Sequence, residues 1–105
     1  MVYHILMGEI FRHKLIEENG DIIEIKILKV PTSEQNSEGV SYSLVYIREG
    51  KRLVGYDNFE GHLKEGSSHH KHIKDQVIPY QFVDEWKLIA DFNEDIEKIK
   101  RGTIQ

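Results

Sequence analysis

The sequence predicts an α+β fold, in which a mostly antiparallel sheet of five or six strands forms a meander of hairpins and one C-terminal helix packs on it. The chain has 105 residues, which is enough for one domain over residues 1–105 with one hydrophobic core. Isoleucine and valine total 21 residues, whereas leucine and alanine total 8. Branching at Cβ restricts the side chain and suits strands better than helices. Two glycine-containing turns also separate strand-like segments.

The first hairpin is predicted around Asn19-Gly20, between strands over residues 7–18 and 22–30. An Asn-Gly pair supplies the positive φ angles that a tight turn needs. A two-residue loop would place the charged residues of the first strand beside the isoleucines of the second. A three-residue loop, which pairs Leu15 with Ile25, matches the apolar faces better. The sequence therefore favours the longer loop.

The second hairpin is predicted around Glu49-Gly50, between strands over residues 41–48 and 51–57. A two-residue loop at this point would pair Val45 with Val54. Both faces of the hairpin are then consistent in polarity, which favours this register.

The remaining strands are predicted over residues 69–73 and 77–82. Pro79 has no amide donor and should therefore lie at an edge or a strand end. The polar segment 31–39 is typical of a mobile connection. Residues 57–68 form a long connection, and connections of this length are often functional or disordered.

The C-terminal helix is predicted from Glu85 to Arg101, with Asp84 as its N-cap. Trp86, on the first turn, is expected to pack against the sheet; if exposed, it would be an anchor for a partner. The apolar face of the helix is Ile89, Phe92, Ile96 and Ile99.

Composition excludes several classes of protein. The chain has 14 basic and 18 acidic residues, so a generally basic nucleic-acid binder is disfavoured. It has no cysteine, which excludes disulfide scaffolds, zinc–thiolate sites and cysteine nucleophiles. The sequence contains neither a long apolar run nor a signal peptide, so we expect a cytoplasmic protein without membrane contact.

A histidine cluster at residues 69–72 is the clearest candidate for chemistry. On a strand, His70 and His72 point to one face while His69 and Lys71 point to the other. Two imidazoles on one face can act as an acid–base pair or can hold a metal together with a third ligand such as Asp57 or His62. An exposed polar loop that is rich in histidine is the third interpretation.

Residues at the end of the fourth strand are predicted to complete this site. Tyr56 could donate its hydroxyl to a phosphate or stack on a base, and Asp57 could fix the tautomer of a histidine. The alternative is a strand end in which Asp57-Asn58 shapes the turn.

Local positive charge indicates an anionic ligand. Between residues 61 and 74, Lys64, Lys71 and Lys74 stand against Glu65 alone. Arg52 adds charge at the neighbouring hairpin turn, where a solvated surface is the alternative explanation. A phosphate of RNA would be attracted to such a patch.

A family resemblance covers nearly the whole chain. The segments 53–58, 70–72, 79–82 and 88–92 resemble the TumE-type toxin family of prokaryotic toxin–antitoxin systems. One departure is that His69 stands where the family has an aspartate. The resemblance implies a small cytosolic toxin of a type II pair, neutralised by a partner that is commonly a helix-turn-helix DNA-binding protein.

The residues suggest metal-independent cleavage of RNA, without a cofactor. In this hypothesis His70 and His72 are the base and the acid, Lys71 or Arg52 stabilises the phosphorane charge, and Tyr56 positions the backbone. Asp57 completes the catalytic set, and Lys71, Arg52, Lys74 and Asn58 form the substrate-binding set.

Two rival functions come from other classes. One is a non-catalytic module that inhibits its target through a sheet edge or through the acidic residues of the helix, which are Asp91, Glu94, Asp95 and Glu97. The other is a small metalloprotein with histidine ligands. The sequence also allows a homodimer.

Overall fold

The computed structural model describes residues 8–34, 36–58 and 69–102, and it confirms the predicted fold class. Six strands form one antiparallel sheet in chain order, and one helix lies on it. The elements are β1 (Gly8–Ile16), β2 (Ile22–Lys29), β3 (Val40–Arg48), β4 (Lys51–Asp57), β5 (His70–Ile73), β6 (Gln76–Pro79) and α1 (Glu85–Lys100). No helix within these described residues is long and apolar enough to cross a membrane. The predicted connection over residues 57–68 lies largely outside them, as do His62, Lys64 and Glu65.

The hydrophobic core fills the space between α1 and one face of the sheet. Side chains alternate along each strand, so every second residue of β2, β3 and β4 points toward the helix. The fully buried members are Ile27, Leu44, Tyr46, Val54, Tyr56, Leu88 and Phe92. We call the other side of the sheet, which α1 does not cover, the open face.

The first hairpin has a three-residue loop, as predicted, but the loop lies one residue earlier: the amide of Glu17 donates to the carbonyl of Asp21 at 2.8 Å and closes a loop over residues 18–20. Leu15 therefore pairs with Ile23 rather than with Ile25, which corrects the register by two residues. The physical reason is Asp21, a buried residue that accepts hydrogen bonds from the Tyr46 hydroxyl and from Arg48. These bonds hold Asp21 at the end of the loop, and a shift of two residues leaves the apolar faces matched as predicted.

The second hairpin has the predicted two-residue turn but not the predicted register. A β-bulge at Leu53 shifts the pairing by one residue, so Val54 lies opposite Tyr46 and not opposite Val45. The bulge turns Val54 and Tyr56 into the core, where both are buried.

The last two strands are shorter than predicted, because β5 begins at His70 and β6 ends at Pro79. Beyond Pro79, the amide of Tyr80 bonds to the carbonyl of His69 and the chain leaves the sheet. The predicted placement of Pro79 at an edge is confirmed, since β6 is the edge strand.

The helix α1 runs from Glu85 to Lys100, and the Asp84 carboxylate caps it by accepting from the amide of Lys87 at 2.8 Å. Trp86 is 73% exposed, so the prediction that it packs on the sheet is wrong. It lies two residues before Leu88, about 200° around the helix, and therefore points away from the core.

A buried polar contact fixes α1 to the sheet. Asp95 is 5% exposed, and its carboxylate accepts a hydrogen bond from the Tyr56 hydroxyl on β4. The same carboxylate forms an ion pair with the Lys71 ammonium on β5 at 3.2 Å. A carboxylate on the inner side of the helix is thus satisfied by two neighbouring strands, as burial of a charge requires.

We expect Asp95→Ala to lower the free energy of unfolding by about 2–4 kcal/mol, because it leaves a half-buried ammonium without its carboxylate. Glu94→Ala removes an exposed carboxylate from the same helix and should cost less than about 0.5 kcal/mol. Urea titrations of both variants measure the difference. Equal losses would show that Asp95 does not anchor the helix.

Candidate functional site

Two histidines and one carboxylate meet on the open face. On adjacent strands, Asp57 lies directly opposite His70, and Gly55 lies opposite His72. The Nε2 atom of His70 is 2.7 Å from Oδ1 of Asp57, and Nε2 of His72 is 3.3 Å from Oδ2. The two imidazole rings lie edge to face, with centroids 4.9 Å apart. We call these three residues the histidine site.

The pleat of β5 creates this arrangement. Successive side chains of a strand point to opposite faces, so His70 and His72 emerge on the open face while Lys71 and Ile73 point toward α1. The prediction that the two histidines share a face is confirmed. The bulge at Leu53 turns Asp57 to that same face.

The histidine site is a low-exposure environment with a nearby cation. His70 is 4% exposed and His72 is 7% exposed. Burial lowers the pKa of His72 below its ordinary value, the positive charge of Arg52 lowers this pKa further, and Asp57 opposes both effects. His72 is therefore kept neutral at physiological pH.

Arg52 lies across Gly55 to reach this position. A Cβ atom at residue 55 would be 2.7 Å from Cδ of Arg52, well inside contact distance. Only glycine leaves room for the arginine side chain to cross the strand here. Because Gly55 lies opposite His72, an arginine side chain that crosses Gly55 reaches the wall of the same cavity as His72.

A cavity of about 540 Å³ opens beside the histidine site. It has hydroxyl groups, two cations and the carboxylate of Asp57 in its wall, together with aliphatic side chains. The lining residues are Lys26, Leu28, Ser41, Tyr42, Ser43, Val45, Arg52, Asp57, Asn58 and His72. Its volume falls within the range of small-ligand sites.

Three other predicted site residues lie away from the histidines, and a fourth, Asn58, lines the cavity beside them but is held by the backbone. Tyr56 and Lys71 lie beneath the sheet, where both contact Asp95. The side chain of Asn58 accepts from the amide of Tyr42 and donates to the carbonyl of Val40, so it extends the sheet pairing. Lys74 lies at the β5–β6 turn with a φ of 55°.

Sequence reasoning missed the contribution of β1 and β2 to the open face. Lys26 and Ser43 pair directly with each other, and Ser43 pairs with Asp57. The signal was present in β2, where charged residues alternate with the buried isoleucines. Its significance depends on the register between strands, which the sequence left open.

The histidine site also has the donor set of a metal centre. One atom from each of Asp57, His70 and His72 can be chosen so that all three lie within 4.8 Å of one another. Imidazole nitrogen and carboxylate oxygen are the ligands that zinc and other transition metals accept.

Together, the meander sheet, the single C-terminal helix and the histidine pair on a short fifth strand define a small α+β protein whose distinguishing residues lie on one open sheet face. The chain belongs to the TumE toxin family, whose family model matches residues 7–100. The predicted resemblance is confirmed. This family indicates a toxin of a toxin–antitoxin system, with an antitoxin as its partner. No curated protein and no solved structure matches the chain.

The electrostatic role of Arg52 predicts a titration shift. The His72 imidazole should titrate below pH 6.5, and Arg52→Gln should raise its pKa, because the variant removes a neighbouring positive charge. Gly55→Ala should produce a shift of the same sign by displacing the arginine. Proton NMR of the ring resonances measures both shifts. An unchanged His72 titration in both variants would contradict the assigned role of Arg52.

The same shift sets the sign of a stability change. The pKa of His72 is lower in the folded than in the unfolded chain, so the stability it contributes is present above about pH 6.5 and is lost as the pH falls through the folded pKa. Urea unfolding between pH 5 and pH 8 should show this loss, with a smaller loss in Arg52→Gln.

Proposed function

We propose that the chain is the toxin of a type II toxin–antitoxin pair, acts in the cytoplasm, and cleaves RNA through the histidine site without a metal ion. The observation that supports this proposal is the meeting of two buried imidazoles on one partly buried carboxylate beside an arginine. Cleavage of RNA by its own 2′-hydroxyl needs a base for that hydroxyl, an acid for the leaving oxygen and a cation for the phosphorane. These side chains can supply all three.

His72 is assigned as the general base. Its lowered pKa keeps the ring unprotonated near neutral pH, so a ring nitrogen can accept the proton of the 2′-hydroxyl. His70 is assigned as the general acid, with Asp57 beside it at 2.7 Å to stabilise the positive ring. Asp57 contacts both rings, so it also fixes their relative orientation.

Arg52 is assigned to the phosphate. Its guanidinium neighbours His72, and a planar guanidinium can donate two parallel hydrogen bonds to phosphate oxygens. Lys71, the other candidate from the sequence, is held by Asp95 on the far side of the sheet. The negative charge that develops at phosphorus is thus met by Arg52.

The proposed partner is a helix-turn-helix antitoxin, as the resemblance implies. Trp86 is the aromatic residue that α1 presents to solvent, and we assign it to the antitoxin contact. The acidic surface of the helix is smaller than the sequence suggested, since Asp95 is buried and Asp91 accepts from the Tyr80 hydroxyl. The edge strands β1 and β6 are the surfaces through which a homodimer would form.

Purified toxin, free of antitoxin, should cleave RNA in the presence of excess chelator. His70→Ala and His72→Ala should each lower the rate by about 10²–10⁴-fold, because each removes one proton-transfer group. Asp57→Asn should also slow cleavage, since it removes the charge that orients both rings. Gel analysis of a labelled RNA measures these rates.

His13→Ala is the matched control, because His13 lies on β1 with its side chain on the face opposite the histidine site. It should leave the rate unchanged. If the double variant His70→Ala/His72→Ala remains as toxic to cells as the wild type, the protein is a non-catalytic inhibitor and the proposal is wrong.

A metal centre at the same three residues is the second candidate function. Two ligands of one tetrahedral ion, each about 2.0–2.1 Å from it, lie roughly 3.3 Å apart. The contact between His72 and Asp57 matches this separation, but the 2.7 Å contact between His70 and Asp57 is too short. The geometry therefore favours the metal-free site.

Elemental analysis of freshly purified protein separates the two candidates. The metal-free site predicts less than about 0.1 equivalent of any transition metal and no loss of activity on dialysis against chelator. A stoichiometric metal that is lost in His72→Ala would instead establish the metalloprotein.

A further inference from the structure

A continuous row of polar side chains crosses the open face to the histidine site. In the strand pairing, Arg12 lies opposite Lys26, Lys26 opposite Ser43, Ser43 opposite Asp57, and Asp57 opposite His70. Neighbouring strands are about 4.8 Å apart, so the row extends roughly 14 Å from Arg12 to Asp57. We call Arg12, Lys26 and Ser43 the basic row.

The basic row contains an unfavourable pair. Like charges directly opposite each other on adjacent strands destabilise a sheet, and Arg12 and Lys26 occupy such positions. The next pair of these two strands on the open face, Lys14 with Glu24, has opposite charges. The general preference against like charges in directly opposite positions is thus not followed next to the cavity. Such departures are common at functional sites.

Charge on the open face runs against the charge of the whole chain. Among the residues from position 10 onward whose side chains the structure describes, the cations of this face are Arg12, Lys14, Lys26 and Arg52, and its carboxylates are Glu24 and Asp57. Cations therefore outnumber carboxylates here, whereas acidic residues outnumber basic ones, 18 to 14, in the chain. Such a face is complementary to a polyanion.

We propose that the basic row binds the phosphate backbone of single-stranded RNA and leads one phosphodiester into the histidine site. The inference rests on the proposed function and names its substrate class. A phosphate between Arg12 and Lys26 offsets their mutual repulsion, the Ser43 hydroxyl donates to the next phosphate, and Arg52 holds the phosphate at His72.

The depth of the histidine site favours a single strand over a duplex. His70 and His72 are almost fully buried, so the scissile phosphate must leave the general path of the backbone to reach them. A flexible single strand can make this excursion, whereas an A-form duplex holds its phosphates on a rigid cylinder.

The composition of the open face favours RNA binding that does not depend on the base sequence. Among the described residues whose side chains point to this face, none is Phe, Tyr or Trp. Tyr42 contributes to the cavity wall from the inner face, where its ring already stacks on His69 and Phe82. Base recognition on sheets commonly relies on aromatic stacking. The row therefore contacts phosphates rather than bases.

The test is the binding of a fluorescent single-stranded oligoribonucleotide that carries 2′-O-methyl groups and cannot be cleaved. With two phosphates neutralised, one between Arg12 and Lys26 and one at Arg52, raising KCl from 50 to 200 mM should weaken binding by the wild type about sevenfold. Arg12→Gln/Lys26→Gln should bind more weakly at low salt, and the same change in salt should cost only about threefold, since one neutralised phosphate remains.

Lys29→Gln is the matched control, because Lys29 lies on the same strand with its side chain on the opposite face. It should bind as the wild type does. Circular dichroism at the assay temperature should show that the double variant is folded, so that weaker binding reports the loss of the two cations. Equal binding by the double variant and the wild type, or equal binding of a duplex of the same length, would overturn the inference.

Failure of the proposed function has a different signature. If RNA binding depends on the basic row but the wild type cleaves no RNA, only the catalytic assignment is wrong. If the wild type cleaves RNA and Arg12→Gln/Lys26→Gln cleaves it with the same kcat/KM, the catalytic assignment of the histidine site is supported. The basic row would then not be the surface that binds the substrate. His70→Ala/His72→Ala should retain binding of the methylated strand.

Discussion

The four-residue strand β5 is the constraint on which the rest of the structure depends. Its pleat sends Lys71 to the inner face, where the ammonium meets Asp95 of α1, and sends His70 and His72 to the open face, where both meet Asp57. A strand this short could not hold two imidazoles in place by its own ladder alone. The ion pair beneath it attaches the strand to a sixteen-residue helix. Helix docking and site geometry are therefore one coupled arrangement, because alternate residues of the same strand serve both.

The bulge at Leu53 decides which residue of the fourth strand joins the histidines. Without it, the register of the hairpin would pair Ser43 with Tyr56 and would turn Asp57 toward the helix. With it, Tyr56 enters the core and Asp57 faces His70. One extra residue thus exchanges a phenol for a carboxylate beside the imidazoles. Bulges next to active sites commonly redirect side chains in this way.

The sequence predicted the features that depend on neighbouring residues. It did not predict strand register, which depends on contacts between residues far apart in the chain. Turn glycines, strand alternation and the N-cap at Asp84 are local, and they predicted five or six strands and one helix, close to the six strands and one helix observed. The register of the first hairpin was wrong because Asp21 is held by residues of β3, more than twenty positions away. Tyr56 was assigned to the site because nothing local reveals a bulge. Lys71 was assigned there although alternation already placed it on the other face, so that error came from weighting charge above geometry.

The distribution of charge between the two layers explains how an acidic protein can attract a polyanion. The helix layer carries five carboxylates and three lysines within residues 85–100, whereas the described open face carries more cations than carboxylates. Negative charge in the helix layer opposes the approach of an anionic polymer from that side, whereas the cations of the open face favour its approach there. The separation of charge orients the encounter even though the net charge is −4. Orientation by charge acts on the association rate more than on final affinity. An acidic helix layer is therefore compatible with the proposed RNA substrate, because it would direct a polyanion to the face that carries the histidines.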